Sequence, residues 1–420
     1  VLIKPNFVLD RNLSGGDLFA SITHPSLLRA IVDYLYIALS GDGKIIIADA
    51  PQIDCDWVAL MKAQRLDAVQ DFYHARFGFD IEVHDLRSIV LRNHHLPAYD
   101  SNKRGQPGDL LGEQLVDLGA RSAFREFAST KNFYGADYNR GELASFHSGG
   151  RHCYAISRTV LTSDLIVSVP KLKVHKKVGV TLNLKGLVGI TTQKNCLIHY
   201  RLGTPKDGGD QLPDGGRWRD RSLVRAQRAL FDTALARGGP RGEKFYRAAL
   251  ELYRRTLKRV WRVRRETALY DSGNWHGNDS AWRMTFDLAQ ILYFSDRRGE
   301  IRQDRQRRIF CLVDGIVGGE GEGPLAPTPK PSGCLIAGED PVSVDLVGAR
   351  AMGVDIRSLR LFRALLDERS ALSIDPERDI CVIADGTELR DYFDPQRRAP
   401  DFSFLPHPGW MGHIEVDREG

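Results

Sequence analysis

The sequence predicts an α/β protein, with a mostly parallel sheet flanked by helices and a basic helical insertion. Two observations support this fold class. Apolar runs of strand length, such as KIIIADA and LIVSVP, have the composition of buried strands. Near the start of the chain such runs alternate with helical segments, and this alternation is typical of a parallel sheet covered by helices.

The N-terminal elements follow from these patterns. VLIKPNF, KIIIADA and FDIEVHDL predict three strands, with helices over 25–39 and 56–77 between them. Thr23 suits the N-cap of the first helix, because Pro25 follows at an early helical position. Residues 1–204 are therefore predicted to form an α/β N-terminal part that carries a Lys/His motif.

Two further parts are expected. TPKDGGDQLPDGG has loop composition and opens a basic helical insertion over 205–272, in which GGPRG is expected to separate two helices of a hairpin. Residues 273–420 are predicted to form an α/β C-terminal part that completes the same sheet or forms a second one. Its strands are IFCLVDGI, GCLIAGED and DICVIAD, a glycine-rich loop follows the first of them, and Asp340 caps a helix over 341–352.

Composition limits the class of protein. Hydrophobic residues make up 42% and charged residues 27%, as in ordinary globular proteins. No apolar run reaches the roughly 18 residues of a membrane span, so we expect no transmembrane segment and a cytoplasmic location, although a leader peptide before Val1 stays open. The six cysteines contain no CxxC pair, so a cysteine-ligated iron–sulfur cluster is not expected.

The densest polar cluster, PKLKVHKKVGVTLNLKGLVG, follows a predicted buried strand. So many cations at a strand end are unfavourable unless an anion or carboxylates face them, and α/β sheets bind ligands at strand ends. The sequence therefore predicts a site for an anionic small molecule. His175 is the candidate general base, because nearby lysines lower the pKa of its imidazole, and Lys173 and Lys185 are candidate catalytic residues beside it.

Polar residues at other strand ends and in the NWHGND loop are assigned to the same site. The candidate substrate-binding residues are Lys4, Asn6, Lys171, Thr181, Asn183, His199, Asn278 and Arg283. The candidate ligands of a divalent cation are Asp49, Asp279, Asp314 and Glu320. A structural alternative covers part of this set: Asp279 or Ser280 also suits a helix N-cap, with Arg283 and Asp287 as an i, i+4 pair.

Several motifs in order along the chain resemble the domain-of-unknown-function 362 family: KPN, THP, VPKLKVH, TLNLKGLVG, VDGI with GEGPL, and DPVSVD. The family hallmark, PKxKxH followed by TxxLKN and glycine, falls on Pro170, Lys171, Lys173, His175, Thr181, Leu184 and Lys185. The resemblance implies an α/β fold and no general activity. This chain has Gly186 where many relatives have asparagine, and it lacks the ferredoxin-type cysteine clusters of many relatives.

The residues favour an enzyme that acts on a phosphorylated or carboxylated small molecule by Lys/His-assisted acid–base chemistry, with a divalent metal as a candidate cofactor. One alternative is a non-enzymatic protein that binds nucleic acid or a partner through its basic helices, although a solvated helix face is the simpler account of that charge. A third interpretation is a redox protein with an unrecognised cofactor.

Overall fold

The apolar runs of the sequence form short strands in the structure, a computed structural model that describes residues 1–94, 100–127, 129–135, 140–215, 218–252, 269–394 and 402–416. The strands in these ranges are β1 (Leu2–Pro5), β2 (Ile45–Asp49), β3 (Ile81–Asp85), β4 (Ile89–Leu91), β5 (Lys103–Gly105), β6 (Glu113–Asp117), β7 (Phe133–Gly135), β8 (Cys153–Ser157), β9 (Leu165–Val169), β10 (Lys171–His175), β11 (Gly179–Val180), β12 (Ile198–Arg201), β13 (Arg308–Glu322), β14 (Ala326–Gly338), β15 (Ile383–Ala384) and β16 (Thr387–Glu388).

Helices connect these strands. They are α1 (Pro25–Ala38), α2 (Trp57–Gln64), α3 (Leu66–Phe77), α4 (Arg140–Phe146), α5 (Arg158–Thr162), α6 (Leu182–Gly186), α7 (Trp218–Leu252), α8 (Ala281–Phe294), α9 (Pro341–Ala351), α10 (Arg360–Leu366) and α11 (Pro376–Asp379).

One central sheet of eight strands organises the chain. Its order is β11-β10-β13-β9-β1-β2-β3, with β14 paired to β13. Every pairing in this sheet is parallel except β10 with β11 and β13 with β14. The predicted α/β class with a mostly parallel sheet is therefore confirmed, and the C-terminal strands β13 and β14 complete the same sheet as the N-terminal strands.

Both faces of the sheet are covered. Ile3 and Ile47 pack with residues of α1, α2 and α3, whereas Leu2 and Ile46 point to the other face and join a larger cluster that includes α8 and α9. Successive residues of a strand point to opposite faces. Because both faces are buried, the parallel strands β2 (IIIAD) and β9 (LIVSV) are apolar at nearly every position rather than alternating.

The start of α1 differs from the prediction. His24, not Thr23, is the N-cap, and its Nδ1 accepts a hydrogen bond from the Ser26 amide at 3.2 Å. Thr23 instead connects two strands: its Oγ1 accepts from the Asn6 amide at 2.8 Å and donates to the Val169 carbonyl at 2.7 Å. The threonine therefore holds the segment that follows β1 against the end of β9.

The predicted glycine-rich loop after Asp314 is wrong, because β13 continues through it and pairs with β14. A Cβ atom on Gly319 would lie 2.5 Å from the Ala20 carbonyl oxygen and 3.0 Å from the Lys173 Cβ. Glycine is needed here for close approach of neighbouring segments rather than for loop flexibility. DICVIAD was also predicted as a sheet strand, but it supplies only β15, which pairs with β16 outside the central sheet.

The predicted helical hairpin is not observed in the described part of the insertion. Helix α7 is continuous through 238–242, where GGPRG was expected to break it, and residues 216–217 and 253–268 lie outside the described residues. Helix propensity is a weak constraint that structural context often overrides. None of the helices in the described ranges combines the length and apolar character that a membrane span needs.

A buried ion pair joins β10 to β13. The Lys171 Nζ lies 2.8 Å from the Asp314 Oδ2, and both side chains are fully buried. The same carboxylate accepts a hydrogen bond from the His24 amide at 2.7 Å. Removing one partner of such a pair leaves a buried charge without a counter-charge. The resulting loss of stability is larger than the net stabilisation that the intact pair contributes.

We predict that Lys171→Met lowers the free energy of unfolding by about 3–5 kcal/mol, because Asp314 then loses its counter-charge. The matched control is Arg369→Met, which breaks the exposed contact to Asp367 and should leave stability nearly unchanged. Urea denaturation of both variants measures the difference. Equal stability of the two variants would contradict this account of the buried pair.

Candidate functional site

A cavity of about 360 Å³ lies at the carboxyl ends of the parallel strands. Asn6 follows β1 and Asp49 ends β2, and both line this cavity, so the cavity occupies the sheet edge at which α/β proteins usually bind ligands. Its polar lining contains Asn6, Asp49, Gln52, Asp54, Lys173, His175, Lys176, Lys177, Thr181, Lys185, Lys194, His199 and Tyr200.

The structure brings together about half of the predicted site. The predicted residues that line the cavity are His175, Lys173, Lys185, Asn6, Thr181, His199 and Asp49. Lys4 lies directly behind Asp49, with its Nζ 2.9 Å from the Asp49 Oδ1. The other carboxylate oxygen of Asp49 accepts from the Phe7 amide at 2.7 Å, so Asp49 is held by partners on both oxygens.

Lys173 is buried, and none of the described residues provides it with a carboxylate partner. Its Nζ is 3.0 Å from the Asn6 Oδ1, 2.5 Å from the Ser21 carbonyl oxygen and 3.5 Å from the Pro324 carbonyl oxygen. Burial lowers the pKa of Lys173 well below its usual value, and Lys171 and Lys185 add to this effect. Three oxygen acceptors nevertheless match the three protons of an ammonium group, so Lys173 uses its donors within the protein.

Lys194 is held in the same way. Its Nζ donates to main-chain carbonyls at 2.7, 2.9 and 3.3 Å, which belong to Ala50, Val188 and Thr191. Burial lowers the pKa of Lys194 to about 7, and Asp49 opposes the shift. Lys177 donates to the Ser272 carbonyl and lies 5.2 Å from the centre of the Tyr200 ring. The amines of these lysines are therefore engaged by oxygen atoms of the protein.

Lys185 differs from these lysines. No residue that the structure describes offers its Nζ a hydrogen bond or an ion pair, and its side chain is 6% exposed. Burial lowers the pKa of Lys185 to about 7. The neighbouring Lys176 also has no hydrogen bond at Nζ within the described ranges; burial lowers its pKa, and Glu322 opposes the shift. These two amines are available to a ligand.

The two cavity histidines have complementary hydrogen-bonding states. The His175 Nδ1 accepts the Lys177 main-chain N–H at 3.0 Å, so the neutral ring carries its proton on Nε2. The His199 Nδ1 faces the Leu197 carbonyl oxygen at 3.3 Å, so that nitrogen carries the proton and Nε2 keeps its lone pair. Burial lowers the pKa of both imidazoles well below the usual value, and Lys185 is the largest charged contributor. The arrangement provides one neutral donor and one neutral acceptor.

A buried aspartate holds the segment that carries Thr181 and Lys185. Asp345 accepts hydrogen bonds from the amides of Asn183 and Leu184, each at 2.8 Å, and so caps the start of α6. Leu182, between them and Thr181, has φ of +47°, a conformation that bulky residues rarely adopt unless surrounding contacts impose it. The Thr181 Oγ1 is buried, lines the cavity and has no hydrogen-bond partner within the described residues.

Other predicted substrate-binding residues have structural contacts away from the cavity. The Asn183 Nδ2 donates to Asp345, and the Asn278 Oδ1 accepts from the Ser280 and Ala281 amides at the start of α8. Asn278 also donates to the His199 carbonyl at 3.1 Å and so supports the strand that carries this histidine. Lys171 pairs with Asp314 as described above. None of Lys171, Asn183 and Asn278 lines the cavity.

Arg283 forms an ion pair with Asp279, one turn earlier on the chain, at 3.2 Å, rather than with Asp287 as predicted. Asp287 instead accepts from the Ser122 Oγ at 2.6 Å and the Tyr154 Oη at 2.9 Å. The alternative that Asp279 or Ser280 caps this helix is closer to the structure. Ser280 occupies the N-cap position of α8, but the oxygen that accepts the amide hydrogen bonds belongs to Asn278.

The predicted metal ligands are not brought together. Asp49 contacts Lys4, Asp314 contacts Lys171, Asp279 contacts arginines, and the Glu320 Oε2 lies 3.4 Å from the Lys330 Nζ. Each carboxylate already has a cationic partner. Within the described residues, no group of three or more His, Cys, Asp or Glu side chains has the geometry to hold a metal ion.

Sequence reasoning missed several residues that build the site. Lys194 and Tyr200 line the cavity on either side of His199, and only their proximity to that histidine in QKNCLIHY could have indicated them. Asp345 was noted only as part of DPVSVD, because nothing in the sequence links it to a helix that starts about 160 residues earlier.

Residues 112–350, more than half of the chain, match the family described as Domain of unknown function (DUF362). The chain belongs to this DUF362 family. A search of curated proteins and a search of solved structures each returned no match. The matched DUF362 region supplies His175, Lys185 and His199, whereas Asn6 and Asp49 of the same cavity lie outside it.

Two glycines beside the cavity allow a matched steric test. A Cβ on Gly189 would lie 1.8 Å from the Asp49 Oδ1 and 2.7 Å from the Lys4 Nζ, whereas a Cβ on Gly186 would meet only the Asn6 Nδ2 at 3.9 Å. Asp49 cannot move without breaking its contacts to Lys4 and Phe7. Position 189 therefore has no space for a side chain, whereas position 186 does.

We predict that Gly189→Ala lowers the free energy of unfolding by about 1–3 kcal/mol through overpacking. Gly186→Ala should change it by less than about 1 kcal/mol, because alanine favours the helix and no atom must move. Thermal and urea unfolding of the two variants measure the effect. Equal destabilisation would show that the contact between Gly189 and the Lys4–Asp49 pair is not as close as described.

Proposed function

We propose that this protein is an enzyme that acts on an anionic small molecule, phosphorylated or carboxylated, by acid–base chemistry in the cavity. The observation that supports this most directly is the pair of neutral imidazoles, His175 as donor and His199 as acceptor, in a pocket lined by lysines. A general acid or base must lie where a bound ligand can reach it and must be in the correct protonation state near neutral pH. Both imidazoles meet these requirements.

The balance of charge supports an anionic ligand. Five lysines line the cavity, and the carboxylates in its lining are Asp49 and Asp54. Asp49 is paired with Lys4, and burial raises the pKa of Asp54 although Arg11 opposes the shift. Cationic groups kept away from water are stabilised when an anion enters, and a cavity of this size suits a small ligand. We propose that Lys176 and Lys185 contact the anion, since their amines have no hydrogen bond within the described residues.

In the proposed proton transfers the general base is His199 rather than His175, which was expected from the sequence. His175 was expected to be the general base, but its Nδ1 is occupied by a main-chain N–H and its Nε2 carries the proton. In the proposal His199 therefore takes the proton from the substrate, and His175 stabilises the negative charge that develops by donating a hydrogen bond. The Thr181 hydroxyl is a second donor on the same wall. No step in this scheme uses a divalent cation.

The alternative of nucleic-acid binding through the basic insertion has weaker support. Arg225 forms an ion pair with Asp207, and the Arg228 Nη2 lies 2.7 Å from the Ser272 Oγ and 3.6 Å from Asp271. These contacts use part of the positive charge of α7 to attach the helix to the rest of the protein. We therefore base the proposed function on the cavity.

We predict that anion affinity falls as pH rises through about 7. Burial lowers the pKa of Lys185 to about 7, so the ammonium form predominates below this pH and the neutral amine above it. Sulfate and oxalate are suitable probes because their charge is constant near neutral pH. Isothermal titration calorimetry should show on the order of a tenfold weaker association at about pH 8 than at about pH 6.

Lys185→Met is the control for this titration, and it should reduce the pH dependence while weakening binding at the lower pH; Lys194, whose pKa is also about 7, accounts for the remainder. Proton uptake on binding, measured in buffers of different ionisation enthalpy, should fall in the same variant. Absence of sulfate and oxalate binding at every pH would contradict the proposal of an anionic ligand.

We predict that glutamine substitutions separate the roles of the two histidines. Glutamine can accept one hydrogen bond and donate another, but it cannot take up a proton. His199→Gln should therefore lower turnover by about 10²–10⁴-fold, whereas His175→Gln should retain a substantial part of it. Turnover is measured on pools of phosphorylated and carboxylated metabolites followed by mass spectrometry, with sulfate binding as the control for an intact cavity. Greater loss in His175→Gln would reverse the assignment.

A further inference from the structure

Lys185 differs from the other buried lysines of the cavity in how its amine is surrounded. The protons of Lys173 and Lys194 are engaged by oxygen atoms of the protein, and Lys177 donates to a carbonyl. The Lys185 Nζ has no such partner among the described residues, although its side chain is almost fully buried. A structural lysine at this depth would be expected to have acceptors. The free amine therefore points to a role towards a ligand.

The surroundings of Lys185 favour its neutral form. Its pKa of about 7 results from burial, and no carboxylate compensates for it within the described residues. Lys185 lines the same cavity as His175 and His199, and it is the charged group that lowers the pKa of both imidazoles most. A desolvated lysine near other cations is the type of amine that attacks carbonyl groups at neutral pH.

We infer that Lys185 is a nucleophile that condenses with the carbonyl group of an anionic aldehyde or keto acid to form an imine in the cavity. This inference rests on the proposed function: with a carbonyl substrate, Lys176 and the rest of the lysine-lined wall bind the anionic group, and Lys185, which contacts simple anions in its ammonium form, attacks the carbonyl in its neutral form. It names the substrate class more closely: a carboxylated or phosphorylated carbonyl compound.

The condensation balances with groups that the cavity supplies. The Lys185 nitrogen attacks the carbonyl carbon, and the amine loses two protons as the C=N bond forms. The carbonyl oxygen takes up two protons and leaves as water. His199, with a free lone pair on Nε2, accepts each of the two protons from the nitrogen in turn and passes it to the oxygen, while His175 keeps its Nε2 proton and stabilises the oxygen by donating a hydrogen bond. No oxidant, reductant or metal is required.

Lys185 lies on a segment whose position is fixed by hydrogen bonds. Asp345 caps α6, so the helix that carries Lys185 is anchored at its first turn, and Thr181 lies four residues earlier on the same wall. Lys185 and Gly186 both line the cavity of about 360 Å³, so a small carbonyl compound has room beside this segment.

Reductive trapping tests the inference. The full-length protein is incubated with glyoxylate and sodium cyanoborohydride, which converts an imine to a stable secondary amine, and the modified lysine is identified by peptide mass mapping. Acetaldehyde, which lacks the anionic group, is the comparison. We expect Lys185 to be labelled at least tenfold faster than any other lysine with glyoxylate, a weaker preference with acetaldehyde, and a rate that rises as pH increases through about 7.

The control variants are Lys185→Met, which should lose the fast label, and Lys62→Met, at an exposed lysine of α2 that does not line the cavity, which should keep the label at Lys185. Mapping of the wild-type protein needs no variant, so the test does not depend on either one folding. Labelling at equal rates across many lysines would overturn the inference. If sulfate or oxalate binds and Lys185 is not labelled, the imine is excluded while the anion site remains; if neither anion binds and no selective label forms, both proposals fail.

Discussion

Buried lysines held by main-chain oxygen atoms are the constraint on which the site depends. Moving an ammonium group out of water costs several kcal/mol unless acceptors replace its hydration. At Lys173 the replacements are Asn6, Ser21 and Pro324, which belong to three distant segments of the chain. The lysine can be accommodated only where these segments meet, so its burial also fixes their relative positions. The positive wall of the cavity is therefore built before any ligand binds.

The sheet determines where this wall stands. β9 and β10 follow each other and pair with the same strand, β13, with a change of register between Lys171 and Lys173. β10 consequently extends past the ends of β1 and β2, and its last residues reach the cavity while Lys171 pairs inside the sheet with Asp314. After β11 the left-handed Leu182 turns the chain into α6 and brings Lys185 to the same wall. Polar residues from four segments are thereby concentrated at one sheet edge.

The parts of this arrangement that depend on local pattern could be predicted from the sequence. Apolar runs gave the parallel strands, and the position of PKLKVH after such a run gave the location of the site. The partners could not be predicted, because they depend on contacts between distant segments. Lys171 and Lys173 have the same spacing as residues on one face of a strand. Because the register shifts between them, Lys171 pairs with Asp314 inside the sheet whereas Lys173 lines the cavity. The donor and acceptor states of His175 and His199 depend on one main-chain N–H and one carbonyl, which no motif encodes. The glycines of β13 have loop composition but serve close packing.

The cavity contains two kinds of buried lysine. The amines of Lys173 and Lys194 are engaged by oxygen atoms of the protein, whereas Lys185 is buried with its amine unengaged in the described residues. Burial of Lys185, without a carboxylate partner in the described residues, makes it costly for this amine to hold a proton. Asn6, which accepts from Lys173, and Asp49, which pairs with Lys4, lie outside the matched family region. The cavity in which Lys185 is proposed to react is therefore built by the N-terminal strands as well as by the motif that identifies the family.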